Sequence, residues 1–361
     1  MSEYIFPIKI AIICFPFIAL IITLPFLIYQ YRKHGYINIF RAFLLYSFLL
    51  YLLVAYYLII LPLPKTRDVL SFQKPNTQHI QLKPFRFITE ILKYTQVHKS
   101  HPKTYLHIFK ERAFLQAAFN AILLTPLGIY LSYYFNKSFI KTVFICFCTS
   151  LFFELTQLSG LYGYYNAPYR LFDVDDLFLN TLGGAIGYMI SPIFKSILPN
   201  VRKLDEKVQL ELLPVGFIRR GISLMFDWGI FIVFWIISRE YLKPYIFVFL
   251  YFILLTYFTN GRTFGKWLLR VRVAGKGKKL KFKEVLVRYT LLYYVFFGMN
   301  YLAFITSSIS SRMSHRTISY FLIILIILID AVAFLHLIAR CFSSNKRLIY
   351  EKISRTTLKI T

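Results

Sequence analysis

Apolar runs of roughly 18 to 25 residues recur along this chain, the length at which an α-helix spans a bilayer. No other feature restricts the fold as strongly. Inside hydrocarbon every backbone N–H and C=O must find its partner within the protein, which an α-helix achieves alone. The chain is 57% hydrophobic and 16% charged, where ordinary globular domains carry about 25% charged residues. The expected fold class is all-α: a polytopic transmembrane helical protein with about nine membrane helices in two bundles. The spans read at about 5–31, 42–61, 113–135, 142–159, 176–192, 215–238, 244–258, 285–305 and 318–337. Two prolines in LPLPK stop the second, and a polar loop over 64–112 follows. The mixed-charge stretch around 195–213 reads as a linker. The expected organisation is an extra membrane helix and basic turn over 1–43, a membrane domain over 44–192, a cytoplasmic linker over 193–213 and a second membrane domain over 214–361.

The net charge is +27. In a membrane protein Lys and Arg collect in loops that stay cytoplasmic, and anionic headgroups attract them. Membrane lipids are therefore expected partners and nucleic acid is not. The same rule places the amino terminus outside, the carboxy terminus in the cytoplasm and the turn at 160–176 outside. The first apolar run is too long for a cleavable signal and is expected to remain as a helix. Cys14, Cys146, Cys148 and Cys341 lie in or beside apolar runs. They form no Cys-x-x-Cys motif and read as small apolar fillers.

Residues 153–190 gather the most concentrated set of unlike polar groups: Glu154, Gln157, Arg170, Asp173, Asp175, Asp176 and Asn180. Polar groups within a membrane are costly and mark functional sites by default. Glu154 and Gln157 share a helix face. Asp173, Asp176, Asn180, Gly183 and Gly187 step by 3, 4, 3 and 4, one stripe of a helix. Its glycine end, Gly183-x-x-x-Gly187, allows a second helix to approach closely. Arg170, three residues before Asp173, is placed to neutralise a carboxylate. By helix rise, Asn120, Glu154 and Asn180 fall at similar depth on three helices. One reading is a polar network that locks three helices together. The other is a site, since a buried carboxylate suits general acid or base work. Carboxylates also suit Mg²⁺ or Ca²⁺, but no ligand spacing is diagnostic, so no metal is assigned and any cofactor is unknown. His98, His101 and His107 match no standard zinc pattern.

The pattern from Glu154 and Gln157 through Arg170, Asp173, Asp176, Asn180, Gly183, Gly184 and Gly187 resembles the VanZ-like family. The upstream FNAILLTPLG resembles that family's N-x-x-x-F-x-P-x-G helix at Asn120, Pro126 and Gly128, with Leu124 or Thr125 where an aromatic is usual. The resemblance covers about 44–191. It implies an integral protein of the bacterial plasma membrane linked to low-level resistance to teicoplanin-type glycopeptides.

The second half places Arg220 and Asp227 on one helix face, with Asp330 on the last helix at similar depth. A pair of intramembrane aspartates suits a proton or cation carrier. The alternative is that each bonds to a neighbouring helix or to Arg220. NGRTFGKW is one residue short of a P-loop and has Trp267 in place of Ser or Thr. Residues 269–285 read as a small basic hairpin on the inner leaflet. Arg220, Asp227, the G-x-T-x-G-K residues Gly261, Thr263, Gly265 and Lys266, Arg288, and then Arg347, Glu351 and Thr356 resemble the RDD family, with Glu351 where aspartate is usual. For some of its members that resemblance implies transport.

Three functions are consistent with these residues. The first is an envelope protein whose outward cluster handles a lipid-linked cell-wall precursor or envelope polymer. In its enzymatic version Glu154 is the general base, Asp173 and Asp176 are acid or metal-holding groups, and Arg170 binds phosphate. The second is a transporter using Asp227 and Asp330. The third is a non-catalytic membrane scaffold.

Overall fold

The computed structural model describes residues 2–95, 102–238, 243–302, 305, 316–343 and 345–361. His98 and His101 lie outside the described residues. Among the described residues seven helices are long and apolar enough to cross a membrane: Ile5–His34, Ile39–Ile60, Arg112–Tyr133, Phe139–Leu158, Val174–Ile197, Phe217–Ser238 and Ile323–Phe342. Most of their surface is not covered by protein, as for helices that face lipid. The all-α, multi-pass expectation is met. The chain divides into two compact units, Met1–Leu24 with Asn38–Lys207, and Pro25–Ile37 with Val208–Thr361.

The first unit holds α1 (Ser2–His34) as far as Leu24, then α2 (Ile39–Ile60), whose first turn is capped by the Asn38 side chain accepting from Arg41 N–H at 3.0 Å. The long polar segment carries a short helix, α3 (Arg86–Tyr94). The expected third span is two helices, α4 (Arg112–Leu123) and α5 (Thr125–Tyr133), broken at Leu124. Pro126 lies in the first turn of α5, where its missing N–H is tolerated. Then come α6 (Phe139–Leu158), the single turn α7 (Gly160–Gly163) and α8 (Val174–Ile197). The sequence predicts that α8 ends at Pro192. It continues because Ser191 Oγ donates to Tyr188 O at 2.7 Å, the carbonyl that the proline ring cannot serve. Strands β1 (Ile80–Gln81) and β2 (Phe172–Asp173) pair in parallel.

Helix α8 is the centre of this unit. A Cβ on Gly183 would collide with the Ala121 carbonyl, and one on Gly187 with the Thr125 carbonyl. Gly184 sits against Cys146 of α6, and Gly128 of α5 against the Gly184 carbonyl. The stripe thus lets three backbones meet at close range. Around it Leu124, Leu127, Leu131, Cys146 and Phe153 form the core.

The second unit contains α9 (Phe217–Ser238), α10 (Pro244–Val248), α11 (Thr256–Phe258), α12 (Phe264–Leu268), β3 (Val271–Ala274), α13 (Phe282–Tyr289), α14 (Arg316–Phe342), α15 (Ile349–Ile353) and β4 (Thr357–Ile360). The expected span 244–258 and the described part of the expected span 285–305, residues 285–302, are apolar helical segments with π-helical stretches at Phe249–Leu255 and Thr290–Phe297. The expected hairpin is absent among the described residues. β3 pairs antiparallel with β4, from Val271↔Ile360 to Ala274↔Thr357. Glu284 diverts the intended second strand into helix: its carboxylate accepts from Lys281 N–H at 2.9 Å and Lys276 N–H at 3.2 Å, which starts α13. Phe252, Ile253, Val273, Leu280, Val285, Tyr289 and Tyr293 fill the core.

Candidate functional site

The polar island closes one end of the first unit. The carboxy-terminal ends of α2 and α6, the carboxy-terminal part of α4 and the amino-terminal end of α8 meet there. The segment after α2 is stitched to the turn before α8: Asn166 Oδ1 accepts from Val69 N–H at 2.8 Å, and Gln73 Nε2 donates to Pro168 O at 2.6 Å.

Asp173 caps α8, its side chain accepting from Asp175 N–H at 2.9 Å. Its own N–H donates to Glu154 Oε2 at 3.0 Å, which joins α6 to the start of α8. Asn120 of α4 donates its amide to Asp176 Oδ1. Asn180 Nδ2 donates to Ser150 Oγ at 2.9 Å, and Ser150 Oγ donates to the Asp176 carbonyl at 3.3 Å. The expected convergence of Asn120, Glu154 and Asn180 is therefore indirect, through Asp173, Asp176 and Ser150. Glu154, Asn180 and Ser150 are buried and Asp176 half-buried. The Asn180 Oδ1 acceptor is buried with no hydrogen-bond partner among the described residues, an arrangement costing about 1–3 kcal/mol.

Gln157 donates to Ile59 O at 2.8 Å, which ties α6 to the end of α2. Arg170 forms no ion pair with a carboxylate among the described residues. Its Nη2 donates to Leu61 O at 2.8 Å, while its charge still acts on Glu154 and Asp176. Burial pushes the Asp173 carboxyl above the usual aspartate value, against the lowering effect of the Asp175 N–H and Arg86.

Three further residues at this end have roles that the sequence pattern does not assign. Asp175 is buried, and its two oxygens accept from Phe85 N–H at 2.5 Å and Phe87 N–H at 3.0 Å, anchoring α3. Ser150 lies one turn before Glu154, so i, i+4 spacing would have placed it on the same face. Gln81, next to Asp173 across β1 and β2, carries no signal in sequence.

The second unit has two buried ionic networks. Asp227 accepts from Tyr251 Oη at 2.9 Å, Thr263 Oγ1 at 2.6 Å, Gly265 N–H at 2.7 Å and Lys266 Nζ at 3.4 Å. The G-x-T-x-G-K residues thus wrap one carboxylate. Burial alone would lower the Lys266 ammonium, but Tyr289 and Asp227 outweigh it and hold its pKa above the ordinary lysine value. Arg220 does not reach Asp227. It pairs with Glu351 Oε2 at 3.1 Å, and Arg288 takes Glu351 Oε1 at 2.9 Å. Arg288 also donates to Thr356 Oγ1 at 2.7 Å. Asp330 accepts from Asn300 Nδ2 at 3.1 Å and shares no hydrogen-bond partner with Asp227 among the described residues. Arg219, which the sequence reading passed over, is buried. It clamps the carbonyls of Gly35 at 2.6 Å, Arg270 at 2.9 Å and Leu269, with its plane over Tyr31. Among the described residues no group of three or more His, Cys, Asp and Glu is placed to hold a metal ion.

Residues 48–195 match the VanZ/LLP1 family model, and residues 180–347 match that of the RDD family. No curated protein and no solved structure matches the chain. The two family matches follow one another from the amino to the carboxy end and overlap over residues 180–195 of α8. The molecule is a multi-pass membrane protein of the cell envelope in which a VanZ-like membrane domain is fused to a carboxy-terminal RDD family membrane domain.

Proposed function

We propose that the polar end of the first unit is an outward-facing site for a lipid-linked cell-wall precursor or envelope polymer, through which the protein alters susceptibility to teicoplanin-type glycopeptides. The observation that carries this reading is the gathering of Asn120, Glu154, Asp173 and Asp176 from three helices, beside the Arg170 charge and the unpartnered Asn180 acceptor. A network built only for packing would satisfy its buried acceptors. Arg170 supplies a cation for a phosphate, and Glu154 and Asp176 supply carboxyl groups for proton transfer. A transport role for Asp227 gains less support, because its four donors fix it as the cap of α12.

The test is glycopeptide susceptibility of a deletion strain complemented with Glu154→Gln and Asp176→Asn chains at wild-type abundance. Each is expected to fail to restore the phenotype, and full restoration by both would remove the reading. Orientation is tested with cysteines placed at Thr89 and Lys278, both exposed, in a chain lacking the four native cysteines. A membrane-impermeant maleimide is expected to label Thr89→Cys in intact cells and Lys278→Cys only after lysis. The reverse pattern would place the site on the cytoplasmic side.

A further inference from the structure

A second, separate feature lies in the RDD unit and does not depend on the reading above. The last two turns of α1 form an open groove of about 550 Å³ lined by Pro25, Ile28, Tyr29, Arg32 and Lys33. Next to it is a recess of about 350 Å³ lined by Arg32, Arg262, Trp267, Arg270 and Thr361. Arg32 belongs to both, so a shallow apolar strip along a membrane helix leads to an open cationic recess. That is the outline of an amphiphile.

The charges are available. Arg270 is engaged, with Nε donating to Thr361 O at 2.5 Å and Nη1 to Arg32 O at 3.2 Å. Arg32, Lys33 and Arg262 are exposed, and among the described residues none of them pairs with an Asp or Glu side chain. The unit's buried carboxylates Asp227 and Glu351 are committed elsewhere. Arg32 lies 4.7 Å over the Trp267 ring, which is half-exposed and stands beside Phe264. Tryptophan favours headgroup level, and an arginine held on its face presents a planar fork suited to phosphate.

We propose that the recess and groove bind one anionic phospholipid, with its phosphate among Arg32, Lys33 and Arg262 and an acyl chain along residues 25–29 of α1. A zwitterionic lipid places its own cation against the three existing ones and is disfavoured. Free phosphate lacks the chain and forgoes the groove.

The test uses the full chain purified in neutral detergent. Binding of phosphatidylglycerol, phosphatidylcholine and glycerol 3-phosphate is followed by native mass spectrometry. Phosphatidylglycerol is expected to bind, phosphatidylcholine of the same chains to bind at least tenfold more weakly, and glycerol 3-phosphate not to compete. Lys33→Gln and Arg262→Gln are each expected to weaken phosphatidylglycerol by about fivefold, from the usual contribution of one basic residue at an anionic surface. Arg262→Lys is expected to retain binding. Lys33 Nζ contacts Tyr29 of its own helix, so its replacement spares the packing of the unit. Equal binding of the two lipids, wild-type affinity in both glutamine variants, or full competition by glycerol 3-phosphate would each overturn the proposal.

Discussion

Glu351→Ala is expected to destabilise the RDD unit severely. Glu351 is fully buried and holds Arg288 at 2.9 Å and Arg220 at 3.1 Å, while Oε2 also accepts from Leu348 N–H at 3.0 Å. Removing one partner of a buried ion pair costs about 3–5 kcal/mol, against a total of about 5–15 kcal/mol for a folded domain. In a unit of this size that corresponds to a loss of about 6–20 °C in melting temperature. Glu351→Asp keeps the charge but shortens the side chain by one methylene. It cannot span both guanidiniums, and an intermediate loss of about 1–3 kcal/mol is expected. The pH dependence has a definite sign. Burial raises the Glu351 pKa, but Arg288 and Arg220 outweigh it and hold it below the usual glutamate value. Its contribution is therefore complete above about pH 4.3, the unfolded-chain value, and is lost as pH falls through the lower folded value. Thermal unfolding in detergent, followed by tryptophan fluorescence from pH 3 to 7, measures all three effects. Glu351→Ala within 1 kcal/mol of wild type, or a Glu351→Gln chain with the same acid profile as wild type, would refute the reasoning.

Asp175→Ala removes the acceptor of two backbone N–H groups, and amide exchange at Phe85 and Phe87 is expected to accelerate while the middle of α8 stays protected. Gly187→Leu drives a side chain into the Thr125 carbonyl and is expected to lower the melting temperature by an amount corresponding to about 1–3 kcal/mol. Gly221→Ala meets open space and is expected to be neutral or mildly stabilising.

Span length and apolar run made the helices readable, and the 3-4 spacing of Asp173, Asp176, Asn180, Gly183 and Gly187 made the central face of α8 readable. Features set by one hydrogen bond were not. The passage of α8 through Pro192 rests on Ser191, and the fate of residues 280–285 rests on Glu284, both within reach of local rules but outvoted by pattern. The pairing of β3 with residues 357–360 joins segments more than 80 residues apart, which no periodicity reports. Within the site, the carboxylates were legible because they are rare in an apolar chain. Their division of labour was not, since Asp173, Asp175 and Asp176 differ only in what their neighbours offer: a helix cap, the anchor of α3, and an amide from Asn120.

The RDD unit is assembled from two segments, Pro25–Ile37 and Val208–Thr361, that lie far apart in sequence. Pro25–Ile37 emerges from the ribosome before the VanZ-like segment at 48–195, and Thr357–Ile360 after it. Arg219 cannot grip the Gly35 carbonyl, nor Arg270 the Arg32 carbonyl, until more than 180 and 230 residues respectively have been synthesised. The VanZ-like helices can be inserted and packed in that interval. During synthesis the end of α1 waits, with its basic turn exposed, for partners encoded well downstream of the VanZ-like segment. A truncation that removes only the final strand would therefore leave the earliest-made part of this unit incomplete.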